Sequence, residues 1–289
     1  MLISAEKISK NYGMKQLLDG VSVYLNEGDR IGIIGINGTG KSTLLKILAG
    51  VSHADSGTIA LKPDLQISYL PQDPEMNENR TVIEQVLADM PSEYREVNEY
   101  EAKAMLNKLG ISDFDAIIGS LSGGQRKRVA LASALIHPAD VLILDEPTNH
   151  LDSEMVSWLE NRLNKFSGGI IMITHDLGVV AETCDRCAVV YAGEIVESGS
   201  LEDIFLHAQH PYTKGLFGSI PRLNQQSDRL SPIEGMLPDP TNLPEGCNFS
   251  PRCPHCMEIC KTTPPCVVQD GTHQIACHLY SSPKGGADA

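Results

Sequence analysis

The chain has 289 residues, of which 42% are hydrophobic and 21% charged, and this composition is that of a folded globular protein rather than a disordered one. Its 23 Lys and Arg residues face 37 Asp and Glu residues, and the resulting net charge of −14 argues against broad nucleic-acid binding. No apolar run approaches the roughly 18 residues of a membrane-spanning helix and no signal peptide opens the chain, so we expect a soluble, cytosolic protein.

The first 175 residues alternate apolar strands with helices. Strands are predicted over residues 3–23 (with a turn near Asn11), 30–35, 57–61, 66–70, 141–144 and 170–174. Helices are predicted from Ser42 to Gly50, twice within residues 81–110, and over residues 125–136 and 153–165. This alternation is typical of an α/β fold with a mostly parallel central sheet, preceded here by antiparallel N-terminal strands.

The character of the chain changes after residue 220, where prolines recur and rule out long regular elements. We therefore predict two domains, residues 1–220 and a Cys- and Pro-rich extension, residues 221–289, which something other than a hydrophobic core must hold. Six of the eight cysteines lie in this extension, and clustered thiols without an export signal more often bind metal than form disulfides. These cysteines are Cys247, Cys253, Cys256, Cys260, Cys266 and Cys277.

The remaining cysteines and the tail histidines have simpler interpretations. Cys184 and Cys187 are expected to be small, half-buried apolar residues around the start of a strand. The tail histidines His255, His273 and His278 are expected to be solvated loop residues and not ligands.

A glycine-rich loop follows the strand at residues 30–35 and opens the next helix. It matches the pattern G-x-x-x-x-G-K-[ST], whose backbone N–H groups cradle phosphates at a helix N-terminus. Lys41 can reach the β- and γ-phosphates of a nucleotide, and the Ser42 hydroxyl can bind Mg²⁺. The candidate nucleotide-binding residues of this loop are Gly35, Asn37, Gly38, Thr39, Gly40, Lys41, Ser42 and Thr43.

The second half of the predicted site follows another buried strand. Residues 141–144 deliver Asp145 to the position of a Mg²⁺ ligand. Glu146 comes next and is a candidate general base that polarises the attacking water.

Further motifs give the chain a resemblance to the ABC ATPase family. Leu121, Ser122, Gly123, Gly124 and Gln125 resemble the family's signature, and they stand between the two phosphate motifs. By the same resemblance, Tyr12 stacks on adenine, Gln72 belongs to the Q-loop and binds Mg²⁺, Asp152 belongs to the D-loop, and His175 is the switch histidine that senses the γ-phosphate. The resemblance implies a P-loop ABC-type nucleotide-binding domain with a small helical subdomain at about residues 73–140.

The resemblance also implies partners. Two such domains clamp head to tail, so that Ser122 and Gly124 of one close over ATP held by the phosphate loop of the other. Residues 1–175 resemble the ABC-F branch, soluble ATPases that act on ribosomes, whereas residues 175–280 resemble the ATP-binding subunits of oligopeptide and dipeptide importers. The chain is thus interpreted as a mosaic.

The importer interpretation is preferred to the ribosomal one. The segment between Gln72 and Leu121 is acidic, with 4 basic and 11 acidic residues over 73–120, and it is a poor surface for ribosomal RNA. The importer interpretation implies an ATPase that energises transmembrane permease subunits, peripheral on the inner face of the cell membrane, with no direct nucleic-acid partner. The alternative is a soluble ABC-F-like ATPase acting on the ribosome.

The importer resemblance extends to the tail cysteines. It implies a [4Fe–4S] cluster at Cys247, Cys253, Cys260 and Cys277, with Cys256 and Cys266 as alternates. A structural Zn²⁺ remains the rival, because four thiolates in a proline-rich loop suit tetrahedral zinc equally well.

Overall fold

The computed structural model describes residues 1–88, 90–218, 233–236 and 238–280. Its strands in chain order are β1 (Ile3–Tyr12), β2 (Lys15–Leu25), β3 (Arg30–Ile34), β4 (Ser56–Leu61), β5 (Ile67–Leu70), β6 (Val141–Asp145), β7 (Gly169–Ile173), β8 (Arg186–Tyr191), β9 (Glu194–Ser200), β10 (Val267–Asp270) and β11 (His273–Ala276). The α-helices are α1 (Lys41–Leu48), α2 (Val82–Val86), α3 (Ser92–Lys108), α4 (Gly123–Ile136), α5 (Ser153–Asn164), α6 (Leu177–Thr183), α7 (Leu201–Phe205), α8 (Pro211–Gly218) and α9 (Glu258–Thr262). Short 3₁₀ turns cover Ile118–Ser120 and Ser250–Arg252.

Two sheets organise these elements. β1 pairs antiparallel with β2 and β4, as predicted for the N-terminal strands. The larger sheet has the order β10-β11-β9-β8-β3-β7-β6-β5 in the part of the chain that the structure describes. Its pairs from β8 to β5 are parallel, and its pairs from β8 to β10 are antiparallel. The predicted α/β class is therefore confirmed, with a mixed central sheet.

The central parallel strands are buried because helices cover both of their faces. Every residue of β6 and of β7 is buried, which explains their continuous apolar sequences. One apolar cluster lies between the sheet and α1, and a second joins the other face to α4, α5 and α6. β3 lies between β7 and β8, so the loop that follows it opens at the centre of the sheet.

The acidic segment forms the two predicted helices, α2 and α3, and both pack against α4. Thr81 caps α2 in a reciprocal capping box with Glu84. Pro91 precedes α3 and separates it from α2, as predicted. Among the helices of the described residues, none is both long enough and apolar enough to cross a membrane.

The Cys-rich tail is attached to the main sheet, which the sequence did not predict. The hairpin of β10 and β11 joins the edge of β9, with Gln274 opposite Ser198 and Ile275 opposite Glu197. Phe249 is 2% exposed and packs in the larger apolar cluster. The prediction that no hydrophobic core holds this tail is therefore wrong at Phe249, whereas the predicted domain boundary at residue 220 lies outside the described residues.

A buried carboxylate strengthens this attachment. Glu197 is 0% exposed, and its oxygens accept hydrogen bonds from the backbone N–H groups of Gln209 (2.7 Å) and His210 (3.1 Å) and from His273 Nε2 (2.8 Å). The expectation that His273 is a solvated loop residue is wrong, because the strand pairing of β11 places its ring beside this carboxylate. Three donors offset the cost of burying the charge of Glu197.

Glu197→Gln tests this attachment. An amide keeps the shape of the side chain but presents an NH₂ group to one of the N–H donors, so we expect a loss of about 3 kcal/mol in unfolding free energy. Urea unfolding followed by circular dichroism measures it as a lower midpoint. Glu202→Gln is the control, since Glu202 is exposed and its contact with the exposed His207, at 3.8 Å, is too long to contribute much stability. Equal midpoints for both variants would show that the carboxylate does not hold the tail.

Candidate functional site

The glycine-rich loop after β3 has the backbone conformation of a phosphate cradle. Gly38 and Gly40 have φ values of 81° and 91°, which L side chains rarely adopt. Close packing adds to this requirement, because a Cβ atom on Gly35 would lie 2.2 Å from the Val190 carbonyl oxygen and one on Gly40 would lie 2.0 Å from that of Leu17. The predicted glycine positions are therefore fixed by conformation and by packing.

Lys41 lies inside this loop. Its side chain is buried, and Nζ donates to the carbonyl oxygens of Gly35 at 2.7 Å and Ile36 at 2.8 Å. Burial lowers the pKa of Lys41 to about 8, while the nearby Glu146 and Asp145 carboxylates act in the opposite direction. Thr39 closes the turn by donating its hydroxyl to the Ile36 carbonyl oxygen at 2.9 Å.

Asp145 ends β6 beside the start of α1. Its two carboxylate oxygens are buried and have no hydrogen-bond partner, and burial raises its pKa. The Ser42 hydroxyl lies close enough to lower that pKa, although it does not reach hydrogen-bonding geometry. A buried carboxylate without a donor, beside a hydroxyl, fits Mg²⁺, which prefers oxygen ligands and supplies the missing positive charge.

Glu146, His175 and Asn37 meet above the loop. His175 Nε2 lies 2.7 Å from Asn37 Oδ1 and 3.3 Å from Glu146 Oε1. Glu146 has a φ of 54°, a conformation that costs a non-glycine residue about 1–3 kcal/mol. Its backbone N–H is tied to the Ile173 carbonyl oxygen at 2.9 Å, so β7 holds the strained residue in place.

Burial sets the protonation of this group. It lowers the pKa of His175, and the Lys41 charge lowers it further, so the ring is neutral at pH 7. Because both neighbours of Nε2 are oxygen atoms, we assign the proton of the neutral ring to Nε2. Burial also raises the pKa of Glu146, which makes its carboxylate a better proton acceptor than an exposed one.

Most of the predicted residues around the loop line one cleft of about 410 Å³, whereas Gly35, Thr39 and His175 lie next to it without lining it. The predicted residues that line it are Asn37, Gly38, Gly40, Lys41, Ser42, Thr43, Gln72, Asp145 and Glu146. Lys15 and Leu17 also line it, and neither residue was predicted from the sequence. Nothing in their local sequence signals this position, because the pairing of β2 with β1 brings them to the loop.

The remaining predicted residues lie outside the lining of this cleft. Tyr12 ends β1, is 55% exposed and has Lys10 Nζ 5.5 Å from its ring centroid. Ser122 caps α4 through a capping box with Gln125, at the start of the signature that also contains Leu121, Gly123 and Gly124. Asp152 caps α5 by accepting from the Met155 N–H at 2.9 Å. None of the five signature residues lines the cleft beside the phosphate loop of its own chain.

The tail brings four of its thiols together. Those of Cys247, Cys253, Cys260 and Cys277 lie close enough that Cys260 raises the pKa of the other three, in addition to the larger effect of burial. Cys256 and Cys266 are exposed, but Cys256 also lies close enough to Cys253 and Cys260 to interact with both. Within the described ranges, no group of three or more His, Cys, Asp or Glu side chains has the spacing that holds a metal ion.

The other pair of cysteines is buried at the start of β8, as small apolar residues. Cys184 is 6% and Cys187 is 1% exposed, so they are more deeply buried than expected. Burial raises the pKa of Cys184 to about 11 and that of Cys187 well above its ordinary value.

Known proteins resemble the chain in two regions. Residues 18–149 match the family described as ABC transporter, and residues 196–260 match the family described as oligopeptide/dipeptide transporter, C-terminal region. The oligopeptide transport ATP-binding protein AppD of Bacillus subtilis is 35% identical over 91% of this chain and 90% of its own length. The oligopeptide transport ATP-binding protein OppD of Salmonella typhimurium is 35% identical over 83% of this chain and 81% of its own length.

A further relative is much longer than this chain. The uncharacterized ABC transporter ATP-binding protein YfmR of Bacillus subtilis is 36% identical over 71% of this chain, but the match spans only 38% of that protein. These similarities do not support the ABC-F part of the predicted resemblance.

Solved structures share the fold. The structure of an ATP-binding subunit of an ABC transporter superposes with a TM-score of 0.63 at 24% identity, over 75% of this chain and 95% of that one. The ATP-binding cassette MJ0796, in a dimeric post-hydrolysis state with ADP and Pi, gives a TM-score of 0.60 at 24% identity, over 69% of this chain and 99% of that one. Because the match to AppD covers about nine-tenths of both proteins, this chain belongs to the ATP-binding subunits of the ABC transporter family, which hydrolyse ATP.

Proposed function

We propose that this chain is the ATPase subunit of a membrane importer of oligopeptides or dipeptides. The observation that carries the proposal is the match of residues 196–260 to the oligopeptide/dipeptide transporter C-terminal region, together with relatives named for peptide transport over nine-tenths of the chain. The structure supports it by joining that region to the cassette, because β9 pairs with β8 and Phe249 packs in the larger apolar cluster. The permease and a separate binding protein would select the peptide, while this subunit would bind only ATP.

The proposed chemistry is attack of water on the γ-phosphorus of ATP, which breaks the bond to the β–γ bridging oxygen and releases ADP and inorganic phosphate. Glu146 accepts a proton from that water. The neutral His175 donates a hydrogen bond from Nε2 to an oxygen of the γ-phosphate. Lys41 and the N–H groups of the glycine-rich loop bind the phosphates. Mg²⁺ held by Ser42, Asp145 and Gln72 would neutralise charge that develops on the phosphate oxygens. Tyr12 stacks on the adenine, since its ring is exposed at the end of β1.

The proposed site is completed by a second cassette. Ser122 and Gly124 do not line the cleft of their own chain, and Ser122 already accepts the Gln125 N–H at 3.3 Å in its capping box. A head-to-tail dimer brings them, with Asp152, over the ATP of the partner. MJ0796, which shares this fold, is described as dimeric. The partner here is a paralogue or a second copy.

Affinity purification from native membranes tests the proposed function. An importer ATPase should co-purify with a pair of permease subunits, and it should stay peripheral to the membrane. Recovery of ribosomes instead would contradict the importer and support the alternative of a soluble ABC-F-like ATPase. The acidic segment 73–120 should in either case give no direct binding to RNA alone.

Glu146→Gln tests the proposed general base. The amide keeps the size of the side chain but cannot take a proton, so steady-state ATP hydrolysis should fall about 10²–10⁴-fold while ATP binding persists. Glu202→Gln removes an equally charged but exposed carboxylate and should leave the rate unchanged. If the Glu146→Gln rate equals that of the parent chain, another group activates the water.

We also propose a [4Fe–4S] cluster at Cys247, Cys253, Cys260 and Cys277, which would clip the tail together. These four thiols lie close enough to interact, and they occupy the positions that the importer resemblance assigns to the cluster. Burial, and to a smaller extent the neighbouring thiols, raise the pKa of Cys247, Cys253 and Cys277, and the positive charge of the iron ions in a cluster would favour their thiolate forms. The same donors would suit Zn²⁺, which makes zinc the alternative outcome.

Anaerobic purification of matched variants distinguishes these outcomes. The parent chain should be brown and contain about four iron and four sulfide per chain. Cys260→Ser should lose both, because Cys260 interacts with the other three thiols, whereas Cys266→Ser, which changes an exposed cysteine, should keep them. A colourless protein that contains zinc, or no metal, would reject the cluster.

A further inference from the structure

A tyrosine from the C-terminal region contacts the phosphate loop. The Tyr212 hydroxyl accepts a hydrogen bond from the Ile36 backbone N–H at 3.1 Å, across 176 positions of sequence. Tyr212 is the second residue of α8 and is 0% exposed. It lies within the match to the oligopeptide/dipeptide transporter C-terminal region, and not within the match to the ABC transporter family.

This contact fixes one particular peptide group. The Ile36 N–H and the Gly35 carbonyl belong to the same planar peptide unit and point in opposite directions. The N–H is bound by Tyr212, and the carbonyl oxygen is bound by Lys41 Nζ at 2.7 Å. The orientation of this peptide therefore decides where the Lys41 ammonium is held.

Phe249 of the Cys-rich tail fixes the tyrosine ring in turn. The ring centroids of Tyr212 and Phe249 lie 5.6 Å apart, and Tyr191 packs against both, at 4.6 Å from Tyr212 and 5.2 Å from Phe249. The Tyr212 backbone N–H donates to Nδ1 of the buried His210 at 3.1 Å. The hydroxyl is thus aimed by packing on its ring and by an anchored backbone.

We propose that Tyr212 is a positioning residue for the phosphate loop, and that Phe249 of the tail holds it in place. Through this contact the C-terminal region sets the affinity of the cassette for ATP. The inference rests on ATP binding at the loop and adds to it a link from the tail. It also separates two roles of the tail: Phe249 supports the site by packing, whether or not the cysteines hold a cluster.

Tyr212→Phe tests the inference, because it removes only the hydroxyl. The Gly35–Ile36 peptide then loses the partner that fixes its orientation before nucleotide binds, so the Kd for ADP and the KM for ATP should rise about tenfold, which corresponds to about 1.4 kcal/mol. The value of kcat should change little, because Glu146 and His175 are untouched. Titration calorimetry of the full chain and steady-state ATPase assays measure these values.

Tyr191→Phe is the matched control. Tyr191 belongs to the same aromatic cluster and is equally buried, but the side chain near its hydroxyl is Arg252, which does not reach hydrogen-bonding geometry, and not the Ile36 N–H. Its removal should leave the Kd and KM unchanged. Phe249→Leu should raise the Kd in the direction of Tyr212→Phe, because the ring that packs on Tyr212 is lost.

These measurements distinguish a failure of the role proposed for Tyr212 from a failure of nucleotide binding itself. A Kd for Tyr212→Phe within twofold of the parent value would overturn the inference, as would an equal rise for Tyr191→Phe. Circular dichroism at the assay temperature establishes that each variant is folded. Failure of the parent chain to bind ADP or ATP would instead contradict nucleotide binding, and it would do so before any variant is compared.

Discussion

The parallel register of β3, β6 and β7 is the constraint on which the site depends. Asp145 pairs with Ile173 and Ile33 pairs with the same residue on the other side of β7, so the three strands end at one edge of the sheet. The glycine-rich loop, Asp145 with Glu146, and His175 each lie at or just after one of these ends. Three short sequence segments that are far apart in the chain therefore meet at one site. Pairing of the strand backbones brings them together.

Local patterns predicted most of this arrangement. The buried strands, the helix starts and the glycine positions follow from sequence signals that act over a few residues, and the structure places Lys41, Asp145 and Glu146 in one cleft. The strained φ of Glu146 did not follow from the sequence, because the pairing with Ile173 that holds it is a tertiary contact. Lys15 and Leu17 were missed for a similar reason.

The tail was the least predictable part. Its two strands, β10 and β11, are only four residues long, and a strand that short carries too little periodicity to be recognised. Glu197 lies in β9, which the sequence did not predict, and its partner His273 is 76 positions away. Only the tertiary fold reveals that the glutamate is buried and that the histidine is its donor. The tail also contacts β2 between Lys15 and Leu17, which line the cleft, because the Gln16 N–H donates to the Pro240 carbonyl oxygen at 3.1 Å.

The hairpin that attaches the tail also changes where the large sheet ends. Without it, the edge of β9 around Glu197 and Ser198, where β11 pairs, would present unpaired N–H and C=O groups to other chains. With it, the described sheet ends in β10 on one side and β5 on the other, each four residues long. Strands of that length offer few hydrogen bonds to an approaching strand, so the tail protects the cassette from edge-to-edge aggregation.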